Sequence, residues 1–261
     1  HATLPVRDAV AMAAGTTSHD FYLACRSGDL YRSSDDGISW NGVGALPASD
    51  VVDLLVQDDL SLLVLSGTGS LFRSIDQGAH FAPVVNIAAS DCVALTRAAP
   101  TGPHYVLTRT GTVYRSVDGG ATWSVVGTIP VPDAVRLRAL GSTLYAISGT
   151  GAIYRSQNAG VTFLAIGTLS QVGSSALTVD EGTLIAGTLT GEVATSPTGE
   201  SWTWRGAVNQ LRMTALATDI PAASGVPAGR PRTSLVMSRP WPNPARRTEG
   251  LSVTVDLHQG E

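Results

Sequence analysis

The stretch Ser116-Val-Asp-Gly-Gly-Ala-Thr-Trp123 decides the fold of this chain because the chain repeats it. Four more copies share its glycine at the fifth position and an aromatic residue at the eighth. They are Ser33-Ser-Asp-Asp-Gly-Ile-Ser-Trp40, Ser74-Ile-Asp-Gln-Gly-Ala-His-Phe81, Ser156-Gln-Asn-Ala-Gly-Val-Thr-Phe163 and Thr195-Ser-Pro-Thr-Gly-Glu-Ser-Trp202. The first positions lie 41, 42, 40 and 39 residues apart. Such a period, with short strands between turns, predicts an all-β protein, a β-propeller with one blade per repeat.

Composition agrees with a single folded domain and sets limits on function. The chain has 261 residues, of which 43% are hydrophobic, and a formal net charge of −4, so neither disorder nor a nucleic-acid surface is indicated. All 17 basic residues are Arg, a residue suited to bidentate pairing between strands. No apolar run is as long as a membrane span. A start at His1 is typical of a processed or trimmed chain.

The two cysteines leave the redox compartment open. Cys25 and Cys92 fall in the first blade and at the start of the third. Residues two blades apart rarely reach the Cα separation that a disulfide requires. Two free core thiols and one disulfide are therefore both retained as interpretations.

Blade 3 shows the expected four-stranded pattern most clearly. Alternating apolar residues and glycine-containing turns predict an innermost strand at Ala94–Arg97 and a second strand at Tyr105–Arg109. The third strand follows at Val113–Ser116 and the outer one at Trp123–Val126. The same frame places the other blades at about 8–44, 50–86, 133–168 and 175–208.

Each repeated stretch is expected to form a structural turn. The Asp carboxylate can accept N–H groups of its own turn, the glycine supplies a conformation that a Cβ opposes, and the aromatic residue packs where strands meet. These residues are Asp35, Gly37, Trp40, Asp76, Gly78, Phe81, Asp118, Gly120, Trp123, Asn158, Gly160, Phe163, Gly199 and Trp202. Asn158 and Pro197 replace the aspartate in the last two copies, so those turns lose some or all of the carboxylate bonding.

The turns resemble the Asp-box, the bacterial neuraminidase repeat. This repeat occurs in sialidases, some glycoside hydrolases, sortilin-type receptors and photosystem assembly factors. The resemblance covers roughly residues 8–208, in five copies that share one register. It implies the propeller fold and a structural box that lies away from the catalytic face, and it implies no particular chemistry.

No catalytic constellation is evident, so we expect a protein that is not an enzyme. Sialidases of this family use an arginine cluster on the substrate carboxylate, but here an arginine precedes the box in successive blades, which favours a structural partner. These arginines are Arg32, Arg73, Arg115 and Arg155. A glycosidase needs two carboxylates across one bond, whereas Asp29 and Glu192 lie on hairpins of different blades. The connections are also short, while catalytic residues usually lie on long loops.

Four aspartates open innermost strands at intervals of 42, 41 and 42 residues, with Ser175 expected in the fifth blade. They are Asp8, Asp50, Asp91 and Asp133. Innermost strands line the central channel, so these carboxylates could form a partial ring that holds a cation such as Ca²⁺. The alternative is that each aspartate caps backbone N–H groups. Apart from this calcium, no cofactor is expected.

The C-terminal part departs from the repeat. A Pro/Gly/Ala linker at 220–234 separates the propeller, residues 1–219, from 235–261, which is either the start of a C-terminal β module or a set of closing strands. Leu235-Val-Met-Ser-Arg-Pro-Trp-Pro-Asn-Pro244 and the strand that follows resemble the start of the immunoglobulin-like module of proteins exported by type IX secretion. That resemblance implies a secreted or cell-surface protein.

A strand at residues 251–257 presents one apolar face, which consists of Leu251, Val253, Val255 and Leu257. An unpaired amphipathic strand invites association. It can complete a composite sixth blade in its own chain, or add to a sheet of another subunit, including a copy of itself. Five full blades with a composite sixth, made partly from C-terminal strands, is the predicted closure; five blades alone is the alternative.

Two functions follow as hypotheses. The first is a non-catalytic binding or assembly protein, polymerising into an oligomer or filament through the C-terminal strand. The second is a glycan-binding or sialidase-like protein, which rests on the resemblance to the Asp-box family.

Overall fold

A computed structural model describes residues 9–15, 19–98, 101–169, 173–180, 182–207, 212–218, 233–238 and 252–255. Of the strands after residue 207 it describes the backbone. The described residues form β-strands and turns without a helix. Accordingly, this part of the chain contains no helix with the length and hydropathy needed to cross a bilayer.

The described strands form six antiparallel sheets, five of four strands and one of three. Blades 1 to 5 each contain four consecutive strands, and the sixth sheet contains β21 to β23. The bounds are β1 Ala9–Ala14, β2 Phe21–Cys25, β3 Asp29–Ser33, β4 Asn41–Ala45, β5 Val51–Val56, β6 Leu62–Ser66, β7 Ser70–Ser74, β8 Ala82–Asn86, β9 Cys92–Arg97, β10 His104–Thr108, β11 Thr112–Ser116, β12 Ser124–Thr128, β13 Ala134–Leu140, β14 Thr143–Ser148, β15 Ala152–Ser156, β16 Leu164–Thr168, β17 Ser174–Asp180, β18 Thr183–Thr188, β19 Glu192–Ser196, β20 Thr203–Ala207, β21 Arg212–Thr218, β22 Thr233–Ser238 and β23 Ser252–Val255.

The first strands of the sheets form a closed ring. β1 contacts β5, β5 contacts β9, β9 contacts β13 and β13 contacts β17. β21 lies between β17 and β1 and completes the circle. The predicted five-blade propeller is confirmed, and its closing sheet consists of three strands from the C-terminal part of the chain. Within that sheet β23 pairs with β22, whose first residue, Thr233, lies in the stretch interpreted as a linker.

The core lies between neighbouring blades. The second strands, such as β2, β6 and β10, are buried along their whole length because both of their faces pack against other sheets. Their sequences are therefore nearly continuous apolar runs instead of alternating ones. Between blades 1 and 2, for example, Leu30, Leu54 and Leu62 pack together and Phe81 of the box covers them.

The box turns have the predicted hydrogen bonds. In blade 3 the Ser116 hydroxyl donates to Asp118 Oδ1 and accepts the N–H of Gly120, at 2.7 and 2.9 Å. Asp118 also accepts the N–H of Thr122 at 2.9 Å. Trp123 Nε1 donates to the Gly120 carbonyl at 2.8 Å. All five box glycines have positive φ values, between 78° and 96°, and in four boxes the preceding residue is also left-handed. These four residues are Asp36, Gln77, Gly119 and Ala159.

The fifth box is one residue shorter than its alignment suggested. The N–H of Gly199 is bonded by the hydroxyl of Ser196, three residues earlier, whereas the other four boxes use a serine four residues before the glycine. Ser196 ends its strand as Ser116 does. The first residue of this copy is therefore Ser196 and not Thr195. Pro197 follows it directly, and the turn has no carboxylate at the position of the aspartate.

We expect the box carboxylates to contribute stability that acid removes. Backbone and side-chain hydrogen bonds from His80 lower the pKa of Asp76 to about 2, and hydrogen bonds from Thr122 do the same for Asp118. Since the ordinary value is 3.8, this stabilisation is complete above about pH 4 and is lost as the pH falls towards 2. Melting temperatures measured from pH 5 to pH 2 should fall less steeply for the double variant Asp76→Asn, Asp118→Asn than for the natural chain.

Blade 4 supplies the precedent for this variant. Asn158 accepts the N–H of Thr162 through its amide oxygen at 3.0 Å, so an amide can replace the carboxylate in the turn. An equal acid dependence in the natural chain and the double variant would show that other groups control acid unfolding.

Candidate functional site

A cavity of about 390 Å³ opens at the end of the channel where the innermost strands begin. Four valines at one register of these strands form much of its wall. They are Val10, Val52, Val93 and Val135. The cavity also receives residues from the hairpins between second and third strands, including Arg26, Arg109 and Leu189. Five blades thus converge on one concave, largely apolar space.

Three arginines are the charged residues among the described lining: Arg26, Arg109 and Arg136. Arg26 and Arg109 are exposed and directly follow the second strands of blades 1 and 3. Arg136 lies on β13, deeper in the channel, and its Nη1 donates to the carbonyls of Val135 and Val93 at 3.0 and 3.3 Å. Burial lowers the pKa of Arg136, and the neighbouring Arg138 and Arg109 lower it further, while Asp53 raises it.

Below the cavity, Arg138 and Asp53 form a partly buried ion pair. Arg138 Nη1 lies 3.3 Å from Asp53 Oδ2, and Asp53 also accepts the N–H of Leu95 at 2.9 Å. Together with Met12 and Leu177 these side chains leave no room for a water-sized molecule.

The aspartates predicted to surround the channel bind their own blades. One oxygen of each carboxylate accepts the N–H of a hairpin threonine: Asp50 from Thr68 at 3.1 Å, Asp91 from Thr110 and Asp133 from Thr150 at 3.0 Å each. No group of three or more His, Cys, Asp or Glu residues suited to a metal occurs among the described residues. Asp8 lies outside them, so a cation held by all four aspartates stays a prediction.

The fifth blade has a different register from the one expected. Ser174 pairs with Thr188 as Ala134 pairs with Ser148 in blade 4. The position of the aspartates is therefore occupied by Gly173 and not by Ser175. Ser175 instead takes the register of the four valines, and both it and Ser174 line the cavity. The spacing of about 42 residues between the earlier aspartates predicts Ser175 at this position. The link before β17 is two residues shorter than that spacing assumes, so Gly173 lies there instead.

Recurring arginines before the boxes form ion pairs within and between blades, which agrees with the structural role expected for them. Arg32 pairs with Asp20 at 2.9 Å and donates to Gln77 in the box of the next blade. Arg155 likewise pairs with Glu200 of the following box at 3.1 Å. Arg73 pairs with Asp59 at 3.4 Å. These side chains tie one blade to another or one strand to its loop, and they do not line the cavity.

The two carboxylates considered for glycoside hydrolysis remain on their own hairpins. Asp29 accepts the hydroxyl of Ser27 at 2.8 Å, and Glu192 accepts that of Thr190 at 3.1 Å. Neither lines the cavity. The assembly strand is described in its middle: residues 252–255 form β23, and Leu251 and Leu257 lie outside the described residues. Cys25 and Cys92 are buried and are not joined by a disulfide, which decides between the two interpretations of the cysteines.

Comparison with known proteins supports the fold and gives no match in sequence. No protein family and no curated protein matches the chain in sequence. A structure of a nidogen/laminin complex is similar over 82% of this chain and 85% of that one, with a TM-score of 0.70 and 13% identity. The Niastella koreensis GH74 enzyme matches 96% of this chain with a TM-score of 0.62 and 16% identity, but this chain spans only 37% of its length. YCF48 bound to a D1 peptide matches 87% of this chain and 74% of that one, with a TM-score of 0.57 and 14% identity. At these identities the likeness shows a β-propeller.

Proposed function

We propose that the protein is a non-catalytic binding protein that holds its ligand in the cavity at the channel mouth. The observation that carries the proposal is a concave space of about 390 Å³, walled by valines and provided with a few polar groups. That size and that mixture are usual for small-molecule sites. The described lining contains no acidic residue and no nucleophile paired with a base, which supports binding over hydrolysis.

The family and location belong to the same proposal. The bonded geometry of the Ser-Asp-Gly-aromatic turns supports membership of the Asp-box propellers. The resemblance of the C-terminal part to a type IX secretion module supports a secreted or cell-surface location.

Assembly is the second form of the proposal, and one observation favours it. Among the described residues the closing sheet has three strands where the other blades have four, so the side of β23 opposite β22 corresponds to the position of an outer strand. A strand of another subunit, or of a second copy, would fit there. Light scattering on the purified chain decides this point, because a strict monomer at high concentration excludes polymerisation through β23.

The binding site can be tested by filling it. Gly149 lines the cavity at the hairpin position where blades 1 and 3 have Arg26 and Arg109. A Cβ there would lie 3.2 Å from Asp133 Oδ2, a carboxylate end that can shift slightly. We expect a library of cationic, anionic and neutral fragments to include some that give saturation-transfer NMR signals with the natural chain. The variant Gly149→Trp should abolish the signals of fragments that bind at the mouth.

The matched control is Gly149→Ala, which adds the Cβ without filling the cavity and should leave the signals unchanged. A glycan panel in the same measurement covers the glycan-binding hypothesis. Fragments that bind Gly149→Trp as well as they bind the natural chain would show that the mouth is not the site.

A further inference from the structure

We propose that the ligand of this cavity is a small organic oxyanion with an apolar body, held by Arg26, Arg109 and Arg136 together with the hydroxyl of Ser174. This inference rests on the proposed function and names the class of ligand. Its basis is that the polar residues of the cavity stand at positions where the other blades mostly have apolar residues or glycine.

The hairpin arginines are departures of this kind. In blades 2 and 4 the residue directly after the second strand is Gly67 or Gly149, and in blade 5 it is Leu189. The fold therefore forms this hairpin without a side chain or with an uncharged one. Neither Arg26 nor Arg109 has a carboxylate partner among the described ion pairs. This contrasts with the arginines before the boxes, which recur from blade to blade and mostly have such partners.

Arg136 departs from the repeat in the same way. By strand pairing it occupies the register of Ala11, Ala94 and Ala176 in blades 1, 3 and 5, and of Asp53 in blade 2. Three blades thus show that alanine suits the packing at this depth. Asp53 pairs with Arg138 below the cavity, while Arg136 itself belongs to the cavity lining.

The serines of blade 5 provide an independent observation. Ser174 lies at a register that is apolar in the other four blades, and its side chain is buried, with 3% of the residue exposed. Its Oγ has no hydrogen-bond partner among the described residues, and the residue lines the cavity. A buried hydroxyl without a partner is costly to keep. A ligand oxygen that accepts a hydrogen bond from the Ser174 hydroxyl would supply the missing partner.

The charges of the described lining specify the sign of the ligand. Among the described residues, three guanidinium groups and no carboxylate line the cavity, although the chain as a whole carries −4. The aspartates closest in sequence bind hairpin N–H groups and do not line the space. Guanidinium groups bind carboxylate and phosphate oxygens with paired N–H donors. The valine wall suits an aliphatic or aromatic body on the same molecule.

The test is calorimetric titration at low ionic strength with three probes of similar shape: phenyl phosphate, benzoate and uncharged benzyl alcohol. Arg26→Leu and Arg109→Leu remove charge and keep bulk, and Leu189 is the precedent for leucine at this hairpin position. We expect both anions to bind more tightly than the alcohol. Each Arg variant should weaken anion binding about tenfold, the loss of one charge-assisted hydrogen-bonded contact. The reciprocal variant Leu189→Arg should strengthen it. The stronger of the two anions identifies phosphate or carboxylate as the group recognised.

Arg205→Leu is the matched control, because Arg205 bonds Thr195 on the third strand of blade 5 and does not line the cavity. If benzyl alcohol binds as tightly as the anions, or the Arg variants bind unchanged while Gly149→Trp still blocks binding, the oxyanion is wrong and the proposed site stands. If no probe and no fragment binds at the mouth, both proposals fail.

Discussion

Gly44→Ala should destabilise the protein by about 3 kcal/mol, the upper end of overpacking costs. Gly44 lies on β4, the outer strand of blade 1, and packs directly on the box of blade 2. A Cβ at this position would lie 2.0 Å from the carbonyl oxygen of Gly78 and 3.3 Å from Ala79 Cα. Both are backbone atoms, so no side chain can rotate away, and the two blades must separate. The melting temperature should fall by roughly 6–12 °C for a chain of this size.

The control lies two residues away on the same strand. A Cβ on Gly42 would meet Tyr31 Cε1 at 3.9 Å, which is an ordinary contact. Gly42→Ala should therefore leave stability unchanged or raise it slightly, because alanine restricts the unfolded chain. Urea denaturation of the two variants separates the explanations. Equal destabilisation would mean that the strand tolerates no side chain for a reason other than contact between blades.

Asp53→Ala is expected to cost about 3 kcal/mol, the lower end for a broken buried pair, because it leaves a half-buried cation and a buried N–H without their carboxylate partner. Asp53 is 2% exposed and connects three blades. It lies on β5 of blade 2, accepts the N–H of Leu95 in blade 3 and pairs with Arg138 in blade 4. The substitution removes the acceptor of the Leu95 N–H and the carboxylate partner of Arg138, which keeps the Leu137 carbonyl, at 2.8 Å, as an acceptor. Urea denaturation at neutral pH measures the loss.

Two comparisons make this prediction specific. Asp58 pairs with Arg97 at 2.7 Å, but the side chain of Asp58 is 54% exposed, so Asp58→Ala should cost at most about 1 kcal/mol. Asp53→Asn keeps an oxygen for Leu95 and loses the charge, so its cost should lie between the two. A loss for Asp53→Ala no larger than that for Asp58→Ala would show that the ion pair does not hold the blades together.

Much of the fold could be predicted because its determinants are local. The glycines of the boxes adopt left-handed conformations, and Asp118 bonds the N–H four residues later, both of which short stretches of sequence specify. The strands of blade 3 lie within two residues of their predicted bounds. The fifth blade was the exception, since Pro197 and the short link before β17 shift the register by amounts that a repeat of about forty residues does not reveal.

The sequence by itself determined that the chain is a propeller of repeated four-stranded blades, because hydrogen bonding within one turn and alternation along one strand need only neighbouring residues. The tertiary structure alone decided what surrounds the channel. It showed that Asp50, Asp91 and Asp133 turn to their own hairpins, and that Arg26, Arg109, Arg136 and Ser174 share one cavity. Residues 110 or more positions apart meet there because the ring closes, and no local pattern records which departures from a repeat face the same space.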